Sequence, residues 1–197
     1  ANGVTAGEFV ARAPADGSVL GIGNTGTHAI NATFYRKLSY DPVKDFIPVV
    51  NVFGAGLVLA ANPKLEAKSI KDIIAMAKAK PGSVNVAIAG ATGEIATNAI
   101  KALAGIDMNN VPYKGGAPAV NALIAGEIQS LFVPPTPTVL QQLKTGRLKA
   151  LAFTGAARWA LLPEVPTLVE SGLNDFVYSG AWHGWLAPAR TPKEIIA

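Results

Sequence analysis

The stretch Val84–Gly126, VNVAIAGATGEIATNAIKALAGIDMNNVPYKGGAPAVNALIAG, contains two successive strand–loop–helix patterns and decides the fold. In the first pattern, the apolar run Val84–Ala89 predicts a strand and the small residues Gly90–Gly93 predict a loop. A helical pattern then runs from Glu94 to Leu103. The loop therefore brings small residues to the N-terminus of a helix.

The second pattern repeats this arrangement with a shorter loop. Asn110–Tyr113 predicts a strand, Lys114–Gly116 a loop, and Ala117–Ile124 a helix. Unpaired backbone N–H groups and the positive end of the helix dipole meet at a helix N-terminus and favour an anion there. Glycine lets a ligand oxygen approach the main chain without meeting a Cβ atom. The stretch therefore predicts a cradle for a carboxylate.

Composition sets the outer limits on function. The chain has 197 residues, enough for one large or two small domains with a hydrophobic core, and its net charge of +4 is spread without a basic cluster. This argues against a nucleic-acid or anionic-membrane surface. The absence of cysteine excludes disulfides, thiol nucleophiles and Cys-ligated metals. Neither a metal nor a cofactor is predicted.

The longest apolar run is too short for a membrane span. It covers Val49–Ala61, is interrupted by Asn51, and is bracketed by Pro48 and Pro63. A span needs roughly 20 apolar residues, so this run predicts buried strand and no direct membrane insertion. No charged and apolar leader opens the chain, which predicts that a targeting peptide is absent or already removed. The missing initial Met and the abrupt ends predict a processed or partial chain.

The remaining pattern alternates strands and helices, which predicts parallel βαβ units and an α/β fold. Ser69, with Asp72 three residues later, predicts a capped helix that ends at Pro81. Other predicted helices are Thr5–Ala13, one that follows the loop Asn24–His28 and runs to about Lys37, one ending near Lys144, and a short helix within Pro163–Ser171. Other predicted strands are Ser18–Gly23, Ile128–Val133, Leu148–Phe153 and Phe176–Ala187. The segment Phe46–Ala60 is predicted to be rich in strand, with breaks at Gly54 and Gly56.

A dinucleotide site is the main competing interpretation of the first half. Gly21–Gly26 matches G-x-G-x-x-G after a strand, and Asp41 follows about twenty residues later. That fingerprint also needs an apolar strand before the acidic residue, whereas the chain has Lys37–Tyr40 there and Pro42 directly after Asp41. A glycine-rich turn that lets the backbone approach a ligand fits this segment better.

Single polar side chains near the predicted loops are candidate site residues with open alternatives. His28 and His183 each lie in a glycine-containing segment, without the spacing of a metal or catalytic motif, and we place both at a pocket. Glu94 fits either a general base or a residue that complements the helix dipole. Lys114 fits either an ion pair with a ligand carboxylate or a solvated lysine. Trp182 fits either the core or the wall of a ligand cleft.

Several segments carry a family resemblance. The chain resembles the Bug-type periplasmic solute-binding proteins of tripartite tricarboxylate transporters, in order and over its whole length. The segments that carry it are Val111–Ala119 (VPYKGGAPA), Ala11–Gly17 (ARAPADG), Gly26–Asn31 (GTHAIN), Tyr40–Phe46 (YDPVKDF), Leu162–Thr167 (LPEVPT) and Gly184–Glu194 (GWLAPARTPKE).

The resemblance implies a two-lobed, type II periplasmic-binding-protein fold that closes over a small carboxylate. Residues 1–56 and 177–197 would form the first lobe, and residues 57–176 the second. The lobes would hinge near Ala55–Leu57 and Asp175–Val177. The family's N-terminal strand with its ligand loop and its C-terminal helical tail are missing from this chain, so we expect a partial fold.

The resemblance also implies a set of ligand-facing residues. With the candidates above, the predicted ligand-binding set is Asn24, Thr25, Gly26, Thr27, His28, Ala91, Thr92, Gly93, Glu94, Tyr113, Lys114, Gly115, Gly116, Trp182 and His183. Main-chain N–H groups of Thr92–Ile95 and Gly115–Gly116 would hold the anion, and the hydroxyls of Thr25, Thr27 and Tyr113 would add hydrogen bonds. The family's usual serine- or threonine-rich loop and its polar residue after the strand are replaced here by Thr92–Thr97 and Val133–Pro135.

The predicted function is a periplasmic solute-binding protein that delivers a dicarboxylate, tricarboxylate, amino acid or aromatic acid to membrane permease subunits. It is not predicted to be an enzyme. One alternative is an enzyme acting on a small acid, with His28, His183 and Glu94 as acid–base groups. Another is a sensory module that passes closure to a signalling partner.

Overall fold

The computed structural model describes residues 3–174, 176–178 and 181–197. The chain divides into two compact units. Unit 1 combines Ala1–Gly54 with Gly180–Ala197, and unit 2 is Ala55–Ser179.

Unit 1 is built on a three-stranded sheet. Its elements are α1 (Val4–Ala11), β1 (Gly21–Asn24), a π-helical turn (Gly26–Ile30), α2 (Asn31–Phe34), β2 (Phe46–Ala55), β8 (Ala181–Pro188) and α7 (Lys193–Ile196). The strand order is β1-β8-β2. β1 runs antiparallel to β8 and places Asn24 opposite His183.

Unit 2 is built on a five-stranded mixed sheet. Its elements are β3 (Val58–Ala61), α3 (Ile70–Ala79), β4 (Asn85–Ile88), α4 (Ala91–Ala104), β5 (Asn109–Pro112), α5 (Gly116–Ala125), β6 (Ser130–Val133), α6 (Pro137–Lys144) and β7 (Lys149–Phe153). The strand order is β5-β4-β6-β3-β7. β4 is parallel to β5 and β6, whereas β3 is antiparallel to β6 and β7.

The parallel βαβ prediction is therefore confirmed for β4, β5, β6 and β7, which all run in the same direction, and wrong for β3 and for the β1–β8 pair, which are antiparallel. β4, α4 and β5 form one such unit, and the next strand, β6, again runs parallel to β4. Of the two breaks predicted in the strand-rich segment Phe46–Ala60, the one at Gly56 is confirmed, whereas Gly54 lies within β2. The chain is interrupted at Gly56 and Leu57, and β2 and β3 belong to different sheets. The antiparallel β3 fills the position between β6 and β7.

Two other predicted elements differ from the structure. The segment Pro163–Ser171 forms turns instead of a helix, because Leu168 donates its N–H to the carbonyl of Phe153, and Phe153 donates to that of Pro166. These bonds hold the segment in extended contact with the end of β7. The predicted strand Phe176–Ala187 begins only at Ala181, and two of its residues lie outside the described part.

The capped helix in unit 2 is confirmed. The Ser69 side chain accepts a hydrogen bond from the Asp72 N–H at 3.3 Å, and the Ser69 hydroxyl donates to the Asp72 carboxylate at 3.0 Å. Hydrogen bonds from the Lys68 N–H and from Ser69 lower the pKa of Asp72. The apolar stripe Ile70, Ile73 and Ala77 is buried, as the helical spacing requires.

The two predicted lobes, 1–56 with 177–197 and 57–176, stay a prediction about closure on a ligand. Of the predicted hinge residues, Asp175 lies outside the described residues. No helix within the described ranges is both long enough and apolar enough to cross a membrane.

The Ser69 cap gives a first prediction. Ser69→Ala removes the acceptor for the Asp72 N–H, and loss of such a cap costs about 1 kcal/mol in the free energy of unfolding. Urea unfolding followed by circular dichroism measures it. Ser83→Ala, in the exposed turn before β4, is the matched control and should change stability by less than about 0.5 kcal/mol. Equal effects of the two substitutions would contradict the capping account.

Candidate functional site

The carboxyl ends of three parallel strands meet at one edge of the unit 2 sheet, and a helix begins just after each. Ile88 at the end of β4 lies opposite Pro112 at the end of β5, and β6 runs in the same direction beside β4. α4 and α5 begin at Ala91 and Gly116. In open α/β sheets, ligands bind beyond this edge.

Both of these helices begin with a glycine in a conformation that other residues avoid. Gly90, the residue that caps α4, has φ +150°, and Gly115, which caps α5, has φ +120°. Neither helix receives a side-chain cap, and a Cβ at either glycine would meet no described atom within 4 Å. The backbone angle, and not crowding by the protein, therefore requires glycine at these two positions.

The start of α4 corrects the predicted set of N–H donors. The helix begins at Ala91, three residues earlier than predicted, and the Glu94 N–H already donates to the Gly90 carbonyl at 3.1 Å. Since the first residues of a helix have no carbonyl one turn back, the donors left for a ligand are those of Ala91, Thr92 and Gly93. The predicted use of the Glu94 and Ile95 amides is wrong.

The start of α5 offers fewer donors. Gly116 and Ala117 provide N–H groups in its first turn, whereas Pro118 has none. Gly116 and Ala117 are exposed. Together the two helices present a short row of amide hydrogens without a carbonyl partner in their own helix, at neighbouring strand ends.

The third helix at this edge differs because the protein caps it. The Thr136 side chain accepts from the Val139 N–H at 3.4 Å, and Pro137 occupies the first helical position. The N-terminus of α6 is therefore already capped by a side chain of the protein. Only α4 and α5 match the predicted cradle among the three helices at this edge.

Close packing holds the two glycine turns, at Gly90 before α4 and at Gly115 before α5, in place. The Tyr113 N–H donates to the Ile88 carbonyl at 2.8 Å, which ties the second turn to the end of β4, and Tyr113 packs against the core. Gly93 is buried, and a Cβ there would lie 3.1 Å from the Phe132 carbonyl oxygen. The first turn of α4 therefore rests directly on β6. The side chains of Glu94 and Lys114 are exposed.

The unit 1 candidates are arranged differently from the prediction. The segment predicted as a loop, Asn24–His28, instead enters a π-helical turn. The Asn24 N–H donates to the Thr27 hydroxyl at 3.0 Å, and the Thr27 N–H donates to the Asn24 side-chain oxygen at 3.0 Å. This reciprocal pair resembles a capping box. It starts the helical turn inside the segment that the glycine pattern suggested was open.

The two threonine hydroxyls predicted to contact ligand hydrogen-bond within unit 1. Thr25 accepts from the Trp182 N–H at 3.1 Å. The Thr27 hydroxyl also donates to the Asn24 carbonyl at 3.1 Å and lies 2.8 Å from His28 Nδ1. Both threonines are buried. Their role in the structure is to fix the turn, and direct contact with a ligand stays a prediction.

His28 packs among aromatic rings. Its ring centroid lies 4.6 Å from that of Phe46 in an edge-on arrangement, 6.0 Å from Tyr40 and 6.2 Å from Trp182. Its Nε2 is buried without a hydrogen-bond partner among the described residues. Burial lowers the pKa of His28 below its ordinary value, so this imidazole favours the neutral form. His183 lies on β8 with its ring 6.2 Å from that of Phe53.

Sequence reasoning missed the residues that brace this turn. The Tyr40 hydroxyl donates to the Thr27 carbonyl at 2.6 Å, and the Asn31 side chain donates to the Tyr40 hydroxyl at 3.3 Å. Asn31 and Tyr40 are buried. Both lie in segments that carried the family resemblance, which was the available signal.

The dinucleotide interpretation does not fit the structure. Gly21–Asn24 is a strand paired antiparallel to β8, whereas a dinucleotide fingerprint belongs to a parallel βαβ unit. The Asp41 carboxylate accepts from the N–H groups of Val43 and Lys44 at 2.9 and 3.0 Å. These bonds lower the pKa of Asp41. Asp41 therefore stabilises a turn.

A cavity of about 340 Å³ lies elsewhere in unit 2. It lies along β7, and its lining includes Lys149, Leu151, Val165 and Pro166. It is lined by none of the predicted site residues. Within the described ranges, His, Asp and Glu side chains form no group of three or more that could hold a metal ion.

Comparison with known proteins adds independent information. The family model described as tripartite tricarboxylate transporter family receptor matches residues 1–197. Protein BugT of Bordetella pertussis is 34% identical over 199 residues, which cover 100% of this chain and 60% of BugT. The chain therefore spans about three fifths of the length of this relative.

Solved structures give the same similarity. A protein from R. palustris solved with adipate matches with TM-score 0.92 and 34% identity, over 98% of this chain and 65% of that one. MatC from Rhodopseudomonas palustris, with bound malate, matches with TM-score 0.87 and 32% identity, over 100% and 67%. The periplasmic binding protein BugD matches with TM-score 0.88 and 30% identity, over 100% and 65%. The predicted two-lobed binding-protein fold, present in part, is confirmed.

The half-buried ring of His28 gives a prediction about pH. Since the folded pKa of His28 lies below the unfolded value of 6.5, the unfolded chain binds more protons between these two values. The contribution of neutral His28 to the free energy of unfolding is complete above pH 6.5. It is lost as the pH falls towards and through the pKa of His28 in the folded protein. Urea unfolding at a series of pH values measures this dependence.

His28→Gln removes the titrating group and should flatten the loss of stability below pH 6.5. His183→Gln keeps His28 and should retain the loss. If the two variants show the same pH dependence, His28 is not its source.

Proposed function

The chain belongs to the tripartite tricarboxylate transporter receptor family, and from this premise we propose that it captures a small carboxylate for delivery to a membrane permease. Family members are solute-binding receptors of a transporter, and BugD is a periplasmic binding protein. We place this protein in the periplasm and assign it binding without chemical conversion of the ligand. The permease subunits are its proposed partners.

The observation that carries the proposal is the pair of glycine-capped helix N-termini in unit 2. α4 and α5 begin after neighbouring parallel strands, and neither has a side-chain cap. Their first N–H groups and the positive ends of their dipoles suit an oxyanion. Hydrogen bonds to a charged acceptor are roughly twice as strong as neutral ones. A carboxylate bound here would replace the missing caps.

Two neighbouring side chains modify this site. Lys114 is exposed directly before Gly115 and is suited to pair with the bound carboxylate. Glu94 is exposed in the first turn of α4, where its carboxylate would repel an anion that it faced. We propose that Glu94 points away from the ligand or selects ligands that carry an amino group.

The ligand class follows from the donor chemistry. Main-chain N–H groups recognise any carboxylate, so dicarboxylates, tricarboxylates, amino acids and aromatic acids all remain candidates. Two similar proteins were solved with adipate and with malate, which are both dicarboxylates. We therefore favour a dicarboxylate, with one carboxylate held at α4 and α5.

We propose that the first lobe contributes the turn Asn24–His28 together with Trp182 and His183, and that closure of the lobes brings these residues to the ligand. The turn is braced from within unit 1 by Tyr40, so it would meet the ligand as a preformed surface. This arrangement leaves His28 and His183 as contact residues. It gives neither of them, nor Glu94, a role as acid or base.

A ligand screen tests the proposal. Dicarboxylates, tricarboxylates, amino acids and aromatic acids are added to the protein at its full natural length, and the melting temperature is measured. A ligand at one hundred times its Kd stabilises the folded state by about 2.7 kcal/mol, so at least one carboxylate should raise the melting temperature. The amide of the same acid is the control and should have no effect. If no carboxylate shifts the curve, the proposal fails.

Gly116→Ala tests the position of the carboxylate. Gly116 is the first residue of α5, and a Cβ there meets no described atom within 4 Å, so alanine is compatible with the helix. The added methyl group would occupy the space in front of the free amides. We expect an affinity loss of about tenfold or more, equivalent to about 1.4 kcal/mol. The melting temperature of the free protein should be equal to or above that of the wild type, because alanine favours the helix.

The matched control for Gly116→Ala is Thr138→Ala. Thr138 is exposed in the first turn of α6, which the protein itself caps. Calorimetric titration with the acid found in the screen should give wild-type affinity for this variant. Wild-type affinity in Gly116→Ala would place the carboxylate elsewhere.

A further inference from the structure

Thr154 connects two distant segments of unit 2 through four hydrogen bonds. It directly follows β7 and is fully buried. Its N–H donates to the Leu57 carbonyl at 2.9 Å, and its hydroxyl accepts from the Leu57 N–H at 2.7 Å. The same hydroxyl donates to the Tyr178 carbonyl at 2.6 Å, and the Thr154 carbonyl accepts from the Tyr178 N–H at 2.8 Å.

The two segments are those through which the chain enters and leaves unit 2. Unit 2 begins at Ala55 and ends at Ser179. Leu57 is the third residue of unit 2, and Tyr178 is the last but one residue of unit 2. One side chain therefore bonds to the main chain of both connections at nearly the same distance from the boundary.

The surroundings leave little freedom at this point. Leu57 is fully buried, and a Cβ added to Gly56 would lie 2.7 Å from the Gly155 nitrogen and 2.9 Å from the Thr154 hydroxyl. The entering chain is thus pressed against the segment that follows β7. Buried and fully bonded backbone of this kind resists local opening.

A hydroxyl is needed because it accepts one hydrogen bond while it donates another. Valine has the shape of threonine but neither property, whereas serine keeps both. The backbone bonds of Thr154 would survive either substitution, so the hydroxyl is what links Leu57 to Tyr178 through a side chain.

We propose that Thr154 is the positioning residue of the hinge: it fastens both connections to the end of β7, so that Leu57 and Tyr178 take no part in bending between the units. The role in closure rests on the proposed function, whereas the fastening itself does not. The inference removes Leu57 from the predicted hinge segment Ala55–Leu57. It also places Phe176 and Val177, from the other predicted hinge segment, on the unit 2 side of the fastened Tyr178.

Amide hydrogen exchange, measured residue by residue by NMR on the ligand-free protein at its full natural length, tests the fastening. In Thr154→Val the Leu57 N–H loses its acceptor, and its exchange should accelerate about tenfold relative to Leu59 in the adjacent β3. Thr154→Ser should stay within about twofold of the wild type, because the hydroxyl remains.

Thr97→Val is the matched control for exchange. Thr97 is also fully buried in unit 2, but its hydroxyl donates only within its own helix, to the Gly93 carbonyl at 2.8 Å. It should leave the exchange of Leu57 unchanged. Wild-type exchange at Leu57 in Thr154→Val, or equal acceleration at Leu57 and Leu59, would overturn the proposal. If Thr154→Val does not fold, Thr154→Ser decides. A folded Thr154→Ser variant with wild-type exchange at Leu57 supports the proposal, and a Thr154→Ser variant that does not fold overturns it.

The hinge role is tested by distances between the units. Because the chain has no cysteine, spin labels can be attached at Lys37→Cys in unit 1 and Lys78→Cys in unit 2, both exposed. Thr154→Val should broaden the distribution of label distances in the ligand-free protein, and Thr154→Ser should not. An unchanged distribution in Thr154→Val would refute the hinge role. Since no ligand is used, failure of the carboxylate screen would not affect this result.

Discussion

Unpaired amide hydrogens at the start of two adjacent helices are the constraint on which the rest of the site depends. A helix leaves its first N–H groups without partners, and proteins usually supply a side chain for them. This chain does so at α3 with Ser69 and at α6 with Thr136, but gives α4 and α5 only glycine. Because β4 and β5 are parallel neighbours, the two uncapped helix ends follow neighbouring strand ends. In the proposed site, one anion replaces both missing caps.

In the proposed site, the two units contribute different groups to the ligand. Unit 2 offers its main chain, and its glycine turns are held by Tyr113 and by the close approach of Gly93 to β6. Unit 1 offers side chains on a turn whose polar groups already satisfy one another. A preformed turn loses little conformational entropy on binding. The Thr154 hydroxyl bonds to the main chain of both Leu57 and Tyr178. It thereby fixes the two segments through which the chain enters and leaves unit 2.

The sequence predicted the features that short-range chemistry determines. The Ser69–Asp72 cap, the parallel β4–α4–β5 unit and the glycines before α4 and α5 all follow from local patterns, and the family segments led to the fold. It did not predict features that depend on distant contacts. The turn at Asn24–Thr27 depends on bracing by Tyr40, and the segment after Pro163 is held by Phe153. The start of α4 was misplaced because Gly90 at φ +150° caps the helix three residues early.

The central claim is that a carboxylate binds to the free amides of α4 and α5. An NMR titration of the protein at its full natural length with the dicarboxylate found in the screen tests it most directly. The account predicts that the amide protons of Ala91–Gly93, Gly116 and Ala117 move downfield together on one binding curve, while those of Thr138 and Val139 in the capped α6 stay in place. Saturable binding that leaves the amides of α4 and α5 unmoved would contradict it.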